Sequence, residues 1–330
     1  MNKLCIFLVL AFIVQFQSSL SYGQQKYGYQ ADIWVQFDFN QRIVPPVPKN
    51  KIRVIIDTDA TNEIDDLWAI TLALLSQERI KIEGFVAANY DNQWGGGPEG
   101  IENSYQGIKT ILKLTGFEDI PVYKGSHPMR YKYEPSPSEG VDFIISKAME
   151  STKEAPVWVI SLGSATNIAS AYLKNPEIIN GVVSFWHGRT QWPEKLWNFN
   201  VFGDRNAAIT LFHAPIPFVL FDTGTDLTCS MEESEKYIEP YGEIGNYLHN
   251  YRYREEYFMR SDKGFFDLGD IAAIINPDIA LWSIENCPEI DPDLTYKFTN
   301  SKGKILRCYH IGRDESFKLL YDKLKFYYGD

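Results

Sequence analysis

From Lys51 onward, short apolar runs alternate with stretches whose apolar residues recur at helical spacing. Ile52–Ile56 is an apolar run that ends in acids, as a buried strand would. In Ile64–Leu75 the residues Ile64, Trp68, Leu72 and Leu75 share one helical face, with no Gly or Pro to interrupt it. Ile80–Ala88 reads as the next strand, and residues 102–114 as a helix with Gly116 placed to cap its end. The pattern continues with a strand at Ile120–Tyr123, a helix at Ser138–Met149, a strand at Val157–Leu162 and a helix at Thr166–Leu173. A strand at Val182–Trp186, a helix at Asp204–Phe212 and a strand at Pro217–Phe221 follow. This alternation predicts an α/β fold: a mainly parallel central sheet with helices on both faces. From Glu232 to Ile275 the pattern turns mostly helical, so the C-terminal third should add helices. Two β-like runs, Leu294–Phe298 and Ile305–Ile311, and an amphipathic helix at Glu315–Phe326 close the chain.

The N-terminus breaks this pattern. Lys3, the apolar run Leu4–Phe16 and the small polar stretch Ser18–Gly23 form a secretory signal over residues 1–23, with a cut expected before Gln24. The run is shorter than the roughly 20 apolar residues of a membrane span, and no later stretch is long enough. A secreted or periplasmic protein is therefore expected. Residues 24–50, ending Val44-Pro45-Pro46-Val47-Pro48, read as an extension, and residues 51–330 as one domain. At 45% hydrophobic residues the chain can bury a core, which excludes wholesale disorder. Its 43 acidic against 32 basic residues, a net charge of −11, exclude a nucleic-acid binder. The mature chain would keep Cys229, Cys287 and Cys308, so at least one thiol is free, and one disulfide is compatible with the count.

In parallel α/β folds ligands bind at the carboxyl ends of the strands. The first strand runs into Asp57-Thr58-Asp59-Ala60-Thr61-Asn62-Glu63-Ile64-Asp65-Asp66, which puts five carboxylates within ten residues. Loop preference and the helix dipole account for one or two of them. Carboxylates about 4 Å apart repel by roughly 1 kcal/mol in water and several-fold more near a protein surface, so this density calls for a cation or raised pKa values. All-oxygen donors suit a hard ion, Ca²⁺ or Mg²⁺. The loop is not an EF-hand, because it lacks Gly at its sixth position and Glu at its twelfth. Val54–Thr61 also resembles the first motif of haloacid-dehalogenase-type phosphatases, with Asp57 as nucleophile. A late acidic pair beginning at Asp270 would complete that family's set, but its second position is Ile274.

The inosine–uridine-preferring nucleoside hydrolase family fits more of the chain. Its Asp-x-Asp strand end and paired Asp-Asp helix start resemble Asp57-Thr58-Asp59 and Asp65-Asp66, with Ala60-Thr61-Asn62-Glu63 replacing a Pro-Gly pair. This longer loop looks like a secreted bacterial branch of the family. Ala87–Asn92, Pro98–Tyr105, Ser161–Ala169, Asn198-Phe199-Asn200-Val201 and Asp267 ahead of Pro277 resemble further family segments in order, over roughly residues 51–330. The resemblance implies Ca²⁺-dependent hydrolysis of ribonucleosides to base and ribose, as in purine and pyrimidine salvage. A homodimer or homotetramer is compatible with it. It implies that Asp59, Asp66, Asp267 and the backbone carbonyl of Leu162 bind the ion, and that Asp59 takes a proton from a metal-bound water. Asp65, Asn92 and Asp267 would hold the ribose 2′- and 3′-hydroxyls. Asn198 and Asn200 would contact substrate, with Asn200 facing the 5′-hydroxyl. The chemistry is consistent: carboxylates stabilise a ribosyl-cation-like transition state, and a divalent ion acidifies water and orients the diol.

The leaving-group side departs from the family. Many members place a His just before the late Asp, where this chain has Phe266. Their Glu-Phe-Asn reads Asn198-Phe199-Asn200, and their Gly-Gly-Asn reads His187-Gly188-Arg189. His187 is a candidate proton donor, though an isolated His is more often packed than catalytic. Arg189 could meet an acidic or phosphorylated group, or pair with nearby acids. Trp94, Tyr105, Trp186, Trp192 and Trp197 are candidates for stacking on a base. Two other expectations remain: a non-catalytic ribosyl- or glycan-binding protein on the same fold, and a Mg²⁺ phosphatase acting through Asp57.

Overall fold

The structure is a computed structural model that describes residues 51–91, 97–224, 226–299 and 303–329. The signal and extension expected over residues 1–50, Asn92 and Trp94 lie outside the described residues. Among the described residues there are ten strands: β1 (Ile52–Thr58), β2 (Ile80–Ala87), β3 (Val122–Lys124), β4 (Val157–Ser161), β5 (Val182–His187), β6 (Phe218–Phe221), β7 (Ala280–Asn286), β8 (Glu289–Ile290), β9 (Tyr296–Lys297) and β10 (Lys304–Ile311). The helices are α1 (Asp65–Leu74), α2 (Gly100–Thr115), α3 (Glu139–Met149), α4 (Thr166–Lys174), α5 (Phe199–Gly203), α6 (Arg205–His213), α7 (Met231–Tyr237), α8 (Gly242–Tyr251), α9 (Glu256–Met259), α10 (Phe266–Ile275) and α11 (Arg313–Tyr328).

The main sheet has the order β3-β2-β1-β4-β5-β6-β10-β7. Every pairing is parallel except β10 with β7. The chain winds outward from β1 in one direction, then returns to β4 on β1's other side. Crossovers therefore leave in opposite directions at β1 and β4, and a crevice opens between their carboxyl ends. The acidic loop continues β1 and Leu162 continues β4, so both meet at that crevice.

Helices cover both faces. On one, α1, α10 and α11 form an apolar layer with Trp68, Leu72, Leu268, Ile271, Phe317 and Leu320. On the other, α3, α4 and α6 pack through Val141, Ile144, Ile168, Ala207 and Leu211. All ten residues of α1 are buried, as are Asp267–Ile274 of α10. Such helices belong to an interior rather than to an amphipathic surface. Asp65 and Asp66 of α1 and Asp267 of α10 lie in the first turn, where the helix dipole favours negative charge.

The predicted alternation from residue 52 to residue 221 is present throughout, with shifts at its edges. β3 begins at Val122 because Pro121 has no N–H for the ladder, although its carbonyl accepts from Phe85. Gly116 caps α2 in the left-handed region, φ 77°, which favours glycine. β7 was not predicted: it is a half-exposed edge strand lying beyond Pro277. The β-like run Leu294–Phe298 narrows to β9, which pairs with β8 in a separate two-stranded ribbon, outside the main sheet. Cys229, Cys287 and Cys308 are all buried free thiols, so the disulfide compatible with their number does not form. Among the described residues, no helix is long and apolar enough to cross a membrane.

Candidate active site

Asp57 is fully buried and turned into the fold. It accepts hydrogen bonds from Ser161 Oγ at 3.1 Å and Asn167 Nδ2 at 2.8 Å, tying β1 to β4 and α4. Burial pushes its carboxyl up to about 7. It does not line the crevice, so a nucleophilic role for Asp57 is overturned by lack of access.

Asp59 reaches the crevice. Its Oδ2 accepts from Asn62 Nδ2 at 2.7 Å, while its carbonyl accepts from the Asn62 backbone at 2.8 Å, so Asn62 closes the turn on both sides. Burial, opposed by the Asn62 bond, raises the Asp59 carboxyl to about 6. Gly163 makes this approach possible, because a Cβ there would sit 2.6 Å from Asp59 Oδ1. Asp66 accepts from Thr58 Oγ1. Burial first, then neighbouring carboxylates, hold both Asp66 and Asp267 well above the usual carboxylate range.

Carboxylate oxygens of Asp65, Asp66 and Asp267 lie within 4.8 Å of one another, all buried. Asp59 is outside that tightest trio but lines the same cavity of about 460 Å³, as does Leu162. The Leu162 carbonyl accepts from Asn200 Nδ2 at 2.6 Å, which leaves its second lone pair. Asn200 also donates to the His187 carbonyl at 2.9 Å, so it braces the ends of β4 and β5. Asn198 lines the cavity, yet its Oδ1 caps α5 by accepting from Val201 N at 2.9 Å. The crevice thus gathers Asp59, Asp65, Asp66, Leu162, Asn198, Asn200 and Asp267. Such a crowd of buried carboxylates, with the pKa values of Asp59, Asp66 and Asp267 raised and Leu162 in the same lining, fits a hard divalent cation.

Sequence reasoning missed Lys263. It is fully buried, with Nζ 2.6 Å from Glu63 Oε2 and 3.2 Å from Asp65 Oδ1. It also donates to the Gly264 carbonyl. Burial disfavours its charge, but Asp65 and Glu63 outweigh that and keep Lys263 above the usual lysine value. Glu63 belongs to the lengthened loop, so that loop supplies half of an internal ion pair. The available signal was the nearness of a lysine to Asp267 in the sequence Lys263-Gly264-Phe265-Phe266-Asp267. Because removing one partner leaves the other charge buried, Lys263→Met should be markedly less stable alone than combined with Glu63→Gln. Chemical denaturation of the four-member cycle should give a coupling of about 1–3 kcal/mol. Additive effects would refute the pairing.

Beyond the acids the wall changes character. The Phe266 ring lies beside His187, with ring centroids 6.0 Å apart, and beneath the Arg189 guanidinium at 5.2 Å. His187 is buried at the cavity wall, and its Nδ1 is 2.7 Å from Asp270 Oδ2. Burial alone would lower its pKa; the Asp270 carboxylate reverses this and raises it. Of the candidate stacking residues, Trp197 lines the cavity, as do Phe199 and Phe202. Trp186 is fully buried in the core, and Trp192 packs on Tyr296 and Phe298. Tyr105 lies under Lys124, away from this cavity.

The sequence pattern of the family described as inosine-uridine preferring nucleoside hydrolase matches residues 54–288. Solved structures share the architecture. A plant nucleoside hydrolase, the PpNRh1 enzyme, superimposes with TM-score 0.67 at 20% identity, covering 83% of this chain and 99% of that one. The purine-preferring ribonucleoside hydrolase from Gardnerella vaginalis gives 0.66 at 19% identity, covering 84% and 99%. The type III effector protein XopQ, complexed with adenosine diphosphate ribose, gives 0.63 at 11% identity, covering 92% and 99%. At these identities the likeness establishes the fold. No curated protein matches the sequence.

Proposed function

This chain belongs to the inosine–uridine preferring nucleoside hydrolase family, and from that premise we propose that it hydrolyses the N-glycosidic bond of ribonucleosides with Ca²⁺ as its resident ion. The observation that carries this reading is the convergence of Asp59, Asp65, Asp66, Asp267 and the Leu162 carbonyl on one cavity at the β1–β4 crevice. Asp59, Asp66, Asp267 and the Leu162 carbonyl would hold the ion, with Asp65 close enough to share it. When bound, the ion would lower the pKa of water and orient the sugar diol.

The chain's own groups do the rest. Asp59, a carboxylate that reaches the cavity, accepts the proton of the attacking water. Asp65 and Asp267 accept hydrogen bonds from the diol, and their negative charge stabilises the positive charge that grows on the sugar. Water forms the new C1′–O bond while the C1′–N bond breaks and its electron pair leaves with the base. His187, oriented by Asp270, is the candidate that returns a proton to the departing base. The signal read over residues 1–23 supports action outside the cytoplasm, and a mature N-terminus at Gln24 would match it.

Ribose release from a panel of purine and pyrimidine nucleosides, with Ca²⁺ and with EDTA, tests the reading. Turnover that needs the ion is expected; no turnover on any ribosyl compound would refute it. A second reading, a ribosyl-binding protein without catalysis, is favoured by Phe266 standing where many relatives place an acid. Tight nucleoside binding in the absence of any turnover would establish that alternative.

A further inference from the structure

A metal and a ribose account for the acids of the cavity but not for all of its lining. The cavity is also lined by Arg189, an exposed cation over the Phe266 ring at 5.2 Å. No carboxylate pairs with it among the described residues, whereas Lys263 and His187 are held by Glu63, Asp65 and Asp270. The stack is fixed from behind. A Cβ on Gly264 would stand 2.4 Å from the Phe266 ring, and one on Gly224, at φ 111°, would stand 3.2 Å from it, so backbone boxes the ring in. The same cavity is lined by Gln191 and by Trp197 and Phe202, whose rings meet edge to face at 4.6 Å. Both rings are about half exposed, at 48% and 46%.

A guanidinium over a ring and without a carboxylate partner has N–H donors to offer a planar oxyanion, and exposed aromatic rings in the same cavity suit a flat heterocycle. We propose that Arg189 is a specificity residue for ribosides whose leaving base carries a carboxylate, gripped by the guanidinium while the base packs against the Trp197–Phe202 wall. This deepens the hydrolase reading of the same cavity and rests on it. The hydrolysis keeps the balance given above: water adds at C1′ and the carboxylated base leaves with the bonding pair.

Binding separates the inference from catalysis. Uridine and 5-carboxyuridine differ by one carboxylate, and calorimetry on the Asp59→Asn protein, at a Ca²⁺ concentration shown by titration to saturate it, compares them without turnover. The carboxylated compound is expected to bind at least about tenfold more tightly, as one charge-assisted fork provides. Adding Arg189→Ala should reduce the preference to twofold or less. Equal affinities, a preference that survives Arg189→Ala, or binding of neither compound would overturn the inference. If the preference holds but the wild-type protein cleaves neither compound, the hydrolase reading fails and the anion preference stands.

Discussion

Asp59→Asn is expected to lower kcat for ribose release by about 10²–10⁴-fold, the usual contribution of a general base. The substitution keeps the shape of the side chain and removes its ability to take a proton; because it also removes a ligand charge, kcat is read at Ca²⁺ concentrations that saturate the variant. The fold should survive it. Asp59 is buried and its carboxylate is repelled by Asp65 and Glu63, so the neutral amide relieves a like-charge cluster. A melting temperature equal to or above that of wild type, measured without metal, would show that lost activity is not lost structure. The loss should appear in kcat more than in KM, because the proton moves only as the new C1′–O bond forms. Asp57→Asn provides the contrast. It sits two residues away, faces Ser161 and Asn167, and should act through stability. If Asp59→Asn retains more than a tenth of wild-type kcat, Asp59 is not the base.

The sheet was legible because its strands are buried on both faces, so continuous apolar runs mark them without ambiguity. The acidic loop was legible for the opposite reason: carboxylates are costly to crowd and do not accumulate at a strand end by chance. Two smaller or exposed elements were not legible. β7 is half exposed and lies beyond a Pro277 turn, and α5 is a five-residue helix, too short for a periodic apolar pattern, that Asn198 caps. The partners of the acids were also hidden. Lys263 and Glu63 are 200 residues apart, as 263 − 63 gives, and they meet only because α10 packs alongside α1. His187, at the end of β5, likewise meets Asp270 of α10 only in the folded chain. Pairing of this kind depends on which strand ends become neighbours, and that follows from topology.

Withdrawing the metal should change stability as well as activity, and by an amount that depends on pH. Burial holds Asp57 at about 7, against roughly 3.9 for an unfolded aspartate. Asp66 and Asp267 are displaced in the same direction, by burial and by one another. Within that window the folded metal-free chain binds more protons than the unfolded one, so its stability falls as pH rises from about 4 towards 7 and beyond. A cation bound by Asp59, Asp66 and Asp267 displaces their protons and replaces the repulsion with attraction. Its stabilisation must therefore grow with pH. At an ion concentration about 1,000 times the Kd it would reach roughly 4 kcal/mol, a melting-temperature gain of roughly 5–10 °C. Thermal melts in Ca²⁺ and in EDTA should show that gain at pH 8 and a clearly smaller one at pH 5. Asp267→Asn should abolish the gain and raise the metal-free melting temperature at pH 8, because one buried charge is gone. The Asp57 contribution should persist in both proteins, since Asp57 faces away from the cavity. A Ca²⁺ gain that is equal at the two pH values, or undiminished in Asp267→Asn, would show that the ion, if it binds, does not sit on these carboxylates.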